Sequence, residues 1–408
     1  MKVGLSISAL VLSTAVLSAQ DWSQWRGPSR TGITTGFVAP ASWPERPKQA
    51  WKVTAGIGHS SPVVSGTRVF LLSRIGEQEA VTAYDLTTGK QIWRQAYDAP
   101  YQMNPAATSH GKGPKATPLV HQGRVYTLGI SGTLSALDAS DGRVVWRKDF
   151  KREFKETSPV YGAAMSPVAD GANVIAHVGG DSNGALTAFD AATGGVKWAW
   201  KGDGPAYASP VIATLGGVRQ VVTQTQSRVV GLSAADGALL WEIPFTTDYD
   251  QNIITPVIVG NDTVIYGGLS KPAVAVRVWQ NAGKWNTAER WRNAEIPMYM
   301  SSPIDAGGTL YGLTHRNKGQ FFAVNTATGK MLWISEGRQG DNAALTSAGN
   351  LLIATTTEGE LVIARKSPTA FDVVRRYTVA ESPVWAHPAL AGGGVLIKDA
   401  ETLAYWVF

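Results

Sequence analysis

Cysteine is absent from all 408 residues of the sequence. The chain therefore cannot form a disulfide, a thiolate metal site or a c-type haem attachment, and no cysteine is present to carry a lipid after a leader. A chain without disulfides must obtain its stability from its core, and this chain is long enough to bury a sizeable one.

Charged residues are also scarce. They make up 17% of the chain, against about 25% in ordinary soluble domains. The 37 basic and 31 acidic side chains are scattered along the sequence and form no run of five or more. This distribution indicates a mildly basic, solvated surface and argues against nucleic-acid binding.

Long apolar runs are absent except near the N-terminus. Lys2 is followed by an apolar stretch of about a dozen residues that ends in small residues at Ser18 and Ala19. The stretch is too short for a spanning helix, and it has the features of a secretory signal peptide. We expect cleavage near Ala19 and a mature monomer without a transmembrane segment, located in the periplasm or outside the cell.

Glycine and tryptophan, in contrast, are abundant and recur in a repeat. The stretch "AYDLTTGKQIW" at residues 83–93 has the form A-x-D-x-x-T/D-G-x-x-x-W, and it returns four times without a gap. A Ser/Thr-Pro step precedes the repeats. Its prolines are Pro62, Pro118, Pro167, Pro210, Pro256 and Pro303; Ala344 takes the same place in the seventh unit and Pro388, after His387, in the eighth. The spacing indicates eight units of the length typical of propeller blades.

Each unit divides into four short strands separated by turns. The Asp or Asn of the repeat can bind backbone N–H groups in the last turn, and the Gly supplies a positive φ there. The last unit lacks a fourth strand, which residues 48–56 can supply. The sequence therefore predicts an all-β, eight-bladed β-propeller of four-stranded antiparallel blades, closed by this N-terminal strand. We expect large rings on the outer strands to seal the gaps between blades; these are Trp51, Trp93, Trp146, Trp198, Trp241, Trp291 and Trp333.

The repeats resemble the tryptophan-docking motifs of the pyrroloquinoline-quinone (PQQ) repeat superfamily of eight-bladed propellers. The stretch "DWSQWRGPSRTG" at residues 21–32 resembles the W-x-x-W-R-G-P start of exported bacterial PQQ-like proteins related to outer-membrane assembly factor B. The leader, the repeats and this resemblance together predict a signal peptide at 1–19, an N-terminal extension at 20–47 and one propeller at 48–408. It leaves the function open, because the superfamily includes both quinoprotein dehydrogenases and non-enzymatic scaffolds.

The loops that precede the Ser/Thr-Pro steps should open at one face of the ring. They carry aromatic and polar residues that we expect to converge on one funnel, which is typical of a ligand or partner site. These candidates are His59, Lys115, Tyr161, Tyr207, Asn252, Tyr299, Asp341, Asn342, Trp385 and His387. Alternatively, the same side chains only fill a narrow channel. No two histidines are spaced as a metal pair, no metal site is expected, and we place His110, His121, His177 and His315 in turns or on strand faces.

Three functions remain compatible with the sequence. The first is a non-catalytic scaffold that binds an envelope or secreted protein, or a small ligand, without a cofactor. The second is a PQQ- and calcium-dependent alcohol or sugar dehydrogenase, in which the resemblance would make Asp341 the general base and Lys115 the stabiliser of the reduced quinone. One carboxylate offers little to a calcium ion, however. The third is a carbohydrate or small-ligand binding module.

Residues 21–32 precede the closing strand, so we expect them to lie outside the blades. In the first interpretation they form a clasp, in which Trp22 and Trp25 anchor the extension and Arg26 pairs with carbonyls or a carboxylate. In the alternative they form a lid that contributes to the funnel.

Overall fold

The computed structural model describes residues 21–408, so the predicted signal peptide lies outside the described residues. The first two strands of this part of the chain are β1 (Ile33–Thr34) and β2 (Lys48–Thr54). Short 3-10 helices occur at Pro105–His110, Asp248–Asp250 and Arg316–Lys318. Between residues 21 and 408, no helix is both long and apolar enough to cross a bilayer.

The remaining strands form eight blades, each of which runs from an innermost strand outward. Blades 1 and 2 contain β3 (Val63–Ser65), β4 (Arg68–Ile75), β5 (Gln78–Asp85) and β6 (Gln91–Asp98), then β7 (Leu119–His121), β8 (Arg124–Leu128), β9 (Leu134–Asp138) and β10 (Val144–Lys148). Blades 3 and 4 contain β11 (Val168–Asp170), β12 (Asn173–Gly180), β13 (Asn183–Asp190) and β14 (Val196–Trp200), then β15 (Val211–Leu215), β16 (Val218–Gln224), β17 (Arg228–Ser233) and β18 (Leu239–Pro244).

The second half of the ring repeats this order. Blades 5 and 6 contain β19 (Val257–Val259), β20 (Thr263–Gly268), β21 (Lys271–Asn281) and β22 (Lys284–Asn293), then β23 (Ile304–Asp305), β24 (Thr309–Thr314), β25 (Gln320–Asn325) and β26 (Met331–Ile334). Blades 7 and 8 contain β27 (Ala343–Ala348), β28 (Leu351–Thr356), β29 (Glu360–Arg365) and β30 (Asp372–Thr378), then β31 (Ala389–Ala391), β32 (Gly394–Lys398) and β33 (Thr402–Val407), completed by β2. The predicted fold class is confirmed.

The N-terminal strand closes the ring as predicted. Strand β2 pairs antiparallel with β33, the last strand of the chain, and Trp51 lies opposite Tyr405. This pairing joins the two ends of the propeller within one sheet, so blade 8 has four strands and the outer edge of β33 is paired.

Neighbouring blades contact each other through the tryptophans of the outer strands. The indole Nε1 of Trp51 donates a hydrogen bond to the carbonyl of Leu86 in blade 1, at 2.8 Å, and its ring packs on the turn that contains Gly89. The same donor and carbonyl positions pair Trp93 with Ala139, Trp146 with Ala191, Trp198 with Ala234, Trp291 with Thr326 and Trp333 with Ser367. Each contact links one blade to the next, so six of the eight junctions between blades are bridged in this way.

Trp241 of blade 4 departs from this pattern. Its Nε1 donates to the side-chain oxygen of Gln220 within its own blade, at 2.6 Å. Blade 5 has the long hairpin β21–β22 in place of the short repeat turn, so the usual carbonyl is missing. Gly231 stands where most repeats have Ala, and a Cβ there would come within 2.2 Å of the Trp241 ring.

The turn glycine beneath each ring gives a direct test of the contact between blades. Gly89 has a φ of +69°, and a Cβ added to it would lie 2.7 Å from the Trp51 ring. Gly66 has a φ of +57° and no atom within 4 Å of such a Cβ. Both G89A and G66A would incur about 1 kcal/mol of backbone strain. We expect only G89A to lose roughly a further 1–3 kcal/mol through overpacking.

Urea denaturation of the two variants measures this difference. Equal losses in G89A and G66A would show that the contact between Trp51 and the turn does not matter for stability.

Candidate functional site

Residues 21–34, which we call the N-terminal plug, run across the centre of the ring. Trp22 forms a β-bridge with Val64 of blade 1, with both N–H to carbonyl distances at 2.9 Å. Further contacts reach blade 2 through Ser23, blade 3 through Arg30, blade 5 through Trp25, blade 6 through Arg26, blade 7 through β1 and blade 8 through Trp25. The plug therefore contacts seven of the eight blades and crosses the axis of the ring.

Two buried arginines hold the plug in place. Arg26 donates to the carbonyl of Pro303 at 2.5 Å, and Arg30 donates to the carbonyls of Ser166 and Pro167 at 3.0 and 2.9 Å. Neither guanidinium group forms an ion pair with a carboxylate within residues 21–408. Burial lowers the pKa of Arg26 to about 10, and burial together with the neighbouring Arg26 charge lowers the pKa of Arg30 to about 9. The carbonyls of the Ser/Thr-Pro steps therefore replace water around both cations.

The plug combines the two alternatives that the sequence left open. Trp22 is only 1% exposed and Arg26 binds a carbonyl, as expected for a clasp, whereas Trp25 also lines the cavity described below. Residues 21–32 contribute no strand to a blade, although Trp22 forms an isolated bridge with Val64, and the blade pairing begins just after them. Strand β1 pairs in parallel with β27 and adds a fifth strand to blade 7.

A cavity of about 480 Å³ opens at one face of the ring above the plug. Eight of the ten predicted funnel residues line it: His59, Lys115, Tyr161, Tyr207, Tyr299, Asn342, Trp385 and His387. The loops before the innermost strands bring these residues together from around the ring. The volume of the cavity lies within the range of small-molecule sites.

The other two candidates lie elsewhere. Asn252 is buried, and its amide nitrogen donates to the carbonyls of Thr225 and Phe245 at 2.8 and 2.9 Å, so it supports its own loop. Asp341 is exposed, and its backbone N–H donates to the carboxylate of Glu358 at 3.1 Å. Proximity to a Ser/Thr-Pro step located the loop correctly but did not determine the direction of these side chains.

One wall of the cavity is basic. Lys115 is largely buried, its Nζ donates to the carbonyl of Tyr161 at 2.6 Å, and desolvation lowers its pKa to about 8. The His59 ring shares a hydrogen bond of 2.9 Å with the carbonyl of His110. Burial, together with the charges of His110 and Lys115, lowers the pKa of His59 to about 3, so this imidazole is neutral at pH 7.

Aromatic rings form most of the remaining surface. The centroids of Trp25 and His387 lie 4.3 Å apart at the inner end of the cavity, and those of Tyr161 and Tyr207 lie 6.0 Å apart on one side. Tyr249 stands at the rim, 74% exposed, with a φ of +62°.

Several lining residues are not among the sequence-based candidates. His110, expected in a turn or on a strand face, ends the 3-10 helix Pro105–His110 and lies against Trp385, with the ring centroids 4.7 Å apart. Tyr249 and Gln251 also line the cavity from the loop before blade 5. The signal available in the sequence was the unusual length of the loop before blade 2, whose "NPAATSH" segment folds over the cavity.

The cavity offers few ligands for a metal ion. Within residues 21–408, no group of three or more His, Asp or Glu side chains is arranged to hold one. The polar side chains that line the cavity carry imidazoles, phenols, amides, hydroxyls and one ammonium group, and the ammonium group cannot bind a metal ion while it is protonated.

The eight-bladed ring, with its plugged channel and its aromatic cavity at one face, defines the class of the protein as a PQQ-like propeller. A family model described as outer membrane protein assembly factor BamB matches residues 43–109 and 77–335. The match covers more than half of the chain, which therefore belongs to this family.

Relatives with different activities match the chain. Assembly factor BamB of Yersinia pestis is 27% identical over 373 residues, covering 88% of this chain and 78% of that protein. The quinohemoprotein alcohol dehydrogenase ADH-IIG of Pseudomonas putida is 25% identical over 286 residues, covering 68% of this chain but only 33% of that enzyme.

Solved structures of the same two kinds of protein, an assembly factor and an alcohol dehydrogenase, also resemble this chain. BamB from Moraxella catarrhalis superimposes with a TM-score of 0.62 at 15% identity, covering 89% of this chain and 98% of that one. The quinohemoprotein alcohol dehydrogenase of Comamonas testosteroni superimposes with a TM-score of 0.67 at 15% identity, covering 95% of this chain and 80% of that one. At these identities the likeness concerns the fold alone.

Two fully buried histidines, in addition to His59, should make the stability of the fold sensitive to acid. Burial lowers the pKa of His177 to about 4 and that of His387 well below its usual value. The unfolded chain binds these protons near pH 6.5 and the folded chain does not, so stability falls as the pH drops below about 6.5. Each histidine should cost about 1.4 kcal/mol for each pH unit below that value.

Melting temperatures recorded between pH 7 and pH 5 check this expectation. The variant H177N should show a shallower decline than the wild type. The control H121N, which removes a partly exposed histidine of β7, should keep the wild-type slope. A decline in H177N as steep as that of the wild type would contradict the assignment.

Proposed function

We propose that the protein is a non-catalytic binding scaffold of the cell envelope that receives a partner protein or a ligand at the mouth of its cavity and needs no bound cofactor. The chemistry of the cavity lining supports this proposal. Aromatic rings, amides, hydroxyls and one cation converge on a concave surface, which suits recognition.

Kinship with an assembly factor supports a role in protein binding. The relative from Yersinia pestis is named for outer-membrane protein assembly, and this chain covers most of its length. The dehydrogenase ADH-IIG, in contrast, is three times as long as the segment that this chain matches. A ring closed by its own N-terminal strand and plugged along its axis is also a rigid support for exposed loops.

Quinone chemistry receives little support from the residues present. Calcium takes six to eight oxygen ligands, commonly including charged carboxylates. The described lining of the cavity holds no carboxylate, and Asp341 lies outside it. The residues therefore do not fit a calcium–PQQ centre, and we assign no catalytic step to Asp341 or Lys115.

Site-specific cross-linking at the cavity mouth tests the binding role. A photo-reactive phenylalanine analogue is introduced at Tyr249 or at Val160, which is 43% exposed and adjacent to Tyr161. The matched control is Val196, 59% exposed on the outer strand of blade 3. In intact cells we expect one discrete adduct from both mouth positions and none from the control. Identical products at all three positions, or none at any, would count against the proposal.

A reconstitution assay tests the enzymatic alternative. The purified protein is incubated with PQQ and calcium chloride, and dye reduction is followed with a panel of alcohols and sugars beside a known quinoprotein dehydrogenase. We expect no turnover. Dye reduction that depends on both PQQ and substrate would overturn the non-catalytic assignment.

A further inference from the structure

The ammonium group of Lys115 is the starting point. It lies in the cavity lining and is largely removed from water, yet the carbonyl of Tyr161 is its hydrogen-bond partner and no carboxylate of residues 21–408 forms an ion pair with it. An ammonium group has three donors. A buried cation whose partner is a neutral carbonyl has much to gain from an anion.

The surroundings of the cavity reinforce this preference. Arg26 lies below Trp25 and His387, close enough for its charge to lower the pKa of His387. Lys398 lies behind His59, and its Nζ donates to the carbonyls of Gly58, Asp399 and Ala400. Both cations bind carbonyl oxygens, and neither forms an ion pair within residues 21–408. The nearby carboxylates of Asp399 and Glu401 offset part of the Lys398 charge, so the positive potential at the cavity comes mainly from Lys115 and Arg26.

Negative charge is present nearby but outside the lining. Asp181 influences the Tyr207 phenol, and its carboxylate accepts the backbone N–H of Val160 at 2.9 Å. The Asp181 carboxylate, in the turn between β12 and β13, is therefore engaged by the loop before blade 3. The described lining of the cavity includes one cation, Lys115, and no carboxylate, so its charge favours an anionic ligand.

The rest of the lining indicates what the anion is attached to. Flat rings on several sides, among them Trp385 and Tyr161, suit the C–H faces of a small ring. Gln251 and Asn342 offer amides beside them, and the Gln251 side-chain oxygen is buried without a hydrogen-bond partner. Amide groups of this kind suit a ligand that carries hydroxyl groups, because a buried polar atom is costly unless it is paired.

We propose that the cavity binds a small acidic sugar of the uronic acid class, with the carboxylate on Lys115, the ring against the aromatic walls and the hydroxyls on the amides. The inference rests on the proposed function in treating the cavity as a binding site, and it adds the class of ligand. A neutral sugar would leave Lys115 without an anion, and an aromatic acid would leave the amides unpaired.

Calorimetric titration of the purified full-length protein tests the ligand class. Sodium glucuronate, glucose and sodium benzoate are compared, since glucose lacks the carboxylate and benzoate lacks the hydroxyls. We expect glucuronate to bind at least about tenfold more tightly than either, which corresponds to one charged hydrogen bond. A short oligouronide in a fourth arm shows whether the site takes a free sugar or the end of an acidic polysaccharide.

Substitution of Lys115 tests the proposed contact. K115M should weaken glucuronate binding about tenfold or more and leave the weak binding of glucose unchanged. The matched control is K112M, because Lys112 lies in the same loop, is 43% exposed and faces Glu77 at 3.9 Å. K112M should bind like the wild type, and the melting temperatures of both variants confirm that they fold.

The pH dependence provides a readout that does not require a neutral variant to fold. The titratable groups facing Lys115 are His59, His110, Tyr161 and Tyr207. Burial lowers the pKa of both histidines and raises that of Tyr207 well above its usual value. These three side chains therefore stay neutral between about pH 7 and 9. Glucuronate affinity should fall as Lys115 deprotonates through about pH 8, whereas K115R should keep its affinity over this range.

The outcomes separate this inference from the proposed function. Equal affinity for glucose and glucuronate, unchanged binding in K115M, no pH dependence, or no glucuronate binding at millimolar concentration would each overturn the acidic-sugar assignment. None of these results affects the mouth-specific cross-link. Loss of that cross-link, or quinone-dependent turnover, would overturn the scaffold role whether or not glucuronate binds.

Discussion

The pairing of β2 with β33 is the interaction on which the rest of the structure depends. It places Trp51 against the turn of blade 1, where the indole binds the carbonyl of Leu86. The same hydrophobic cluster contains Trp22 of the plug and Tyr405 of the last strand. Without this pairing, blade 8 would lose its fourth strand, and the contact between the first and last blades would open.

A second constraint is the placement of positive charge around the axis. Arg26, Arg30 and Lys398 are buried and bound to backbone carbonyls, and Lys115 faces the cavity with one carbonyl partner. Burial of such groups opposes folding unless hydrogen bonds replace the lost water. The loops before the inner strands and the turn after β32 supply these bonds, and Trp25 of the plug lines the cavity. The proposed scaffold role and the proposed acidic-sugar site both depend on this arrangement of the plug and the cations.

The fold could be predicted almost completely from the sequence, because the repeat records a contact made once in every regular blade. In each copy of the repeat, the glycine has a positive φ and indicates a turn. The tryptophan, ten residues after the first residue of the copy, indicates an outer strand. Trp241 fits the sequence pattern, but its indole donates to Gln220 of its own blade, because blade 5 lacks the repeat turn that would accept the bond.

The site was less predictable. Loop positions identified eight lining residues, but the directions of Asn252 and Asp341 depend on local hydrogen bonds to Phe245 and Glu358, which a single sequence does not reveal. His110 entered the cavity because a 3-10 helix turned its loop inward, and Trp25 did so because the plug reaches the axis. The parallel pairing of β1 with β27 is likewise a tertiary contact without a local signal.

The plug also has a consequence for the order of folding. Its first bridge, from Trp22 to Val64, needs only blade 1, but Arg30 requires blade 3, Arg26 requires blade 6, and Trp25 requires His387 of blade 8. Contacts of such long range in sequence slow folding, because chain entropy is lost before they form. An emerging chain can therefore complete its early blades in sequence, but the plug and the β2–β33 pair become fully bonded only when the last blade is available. The axis and the ring close in the same late event.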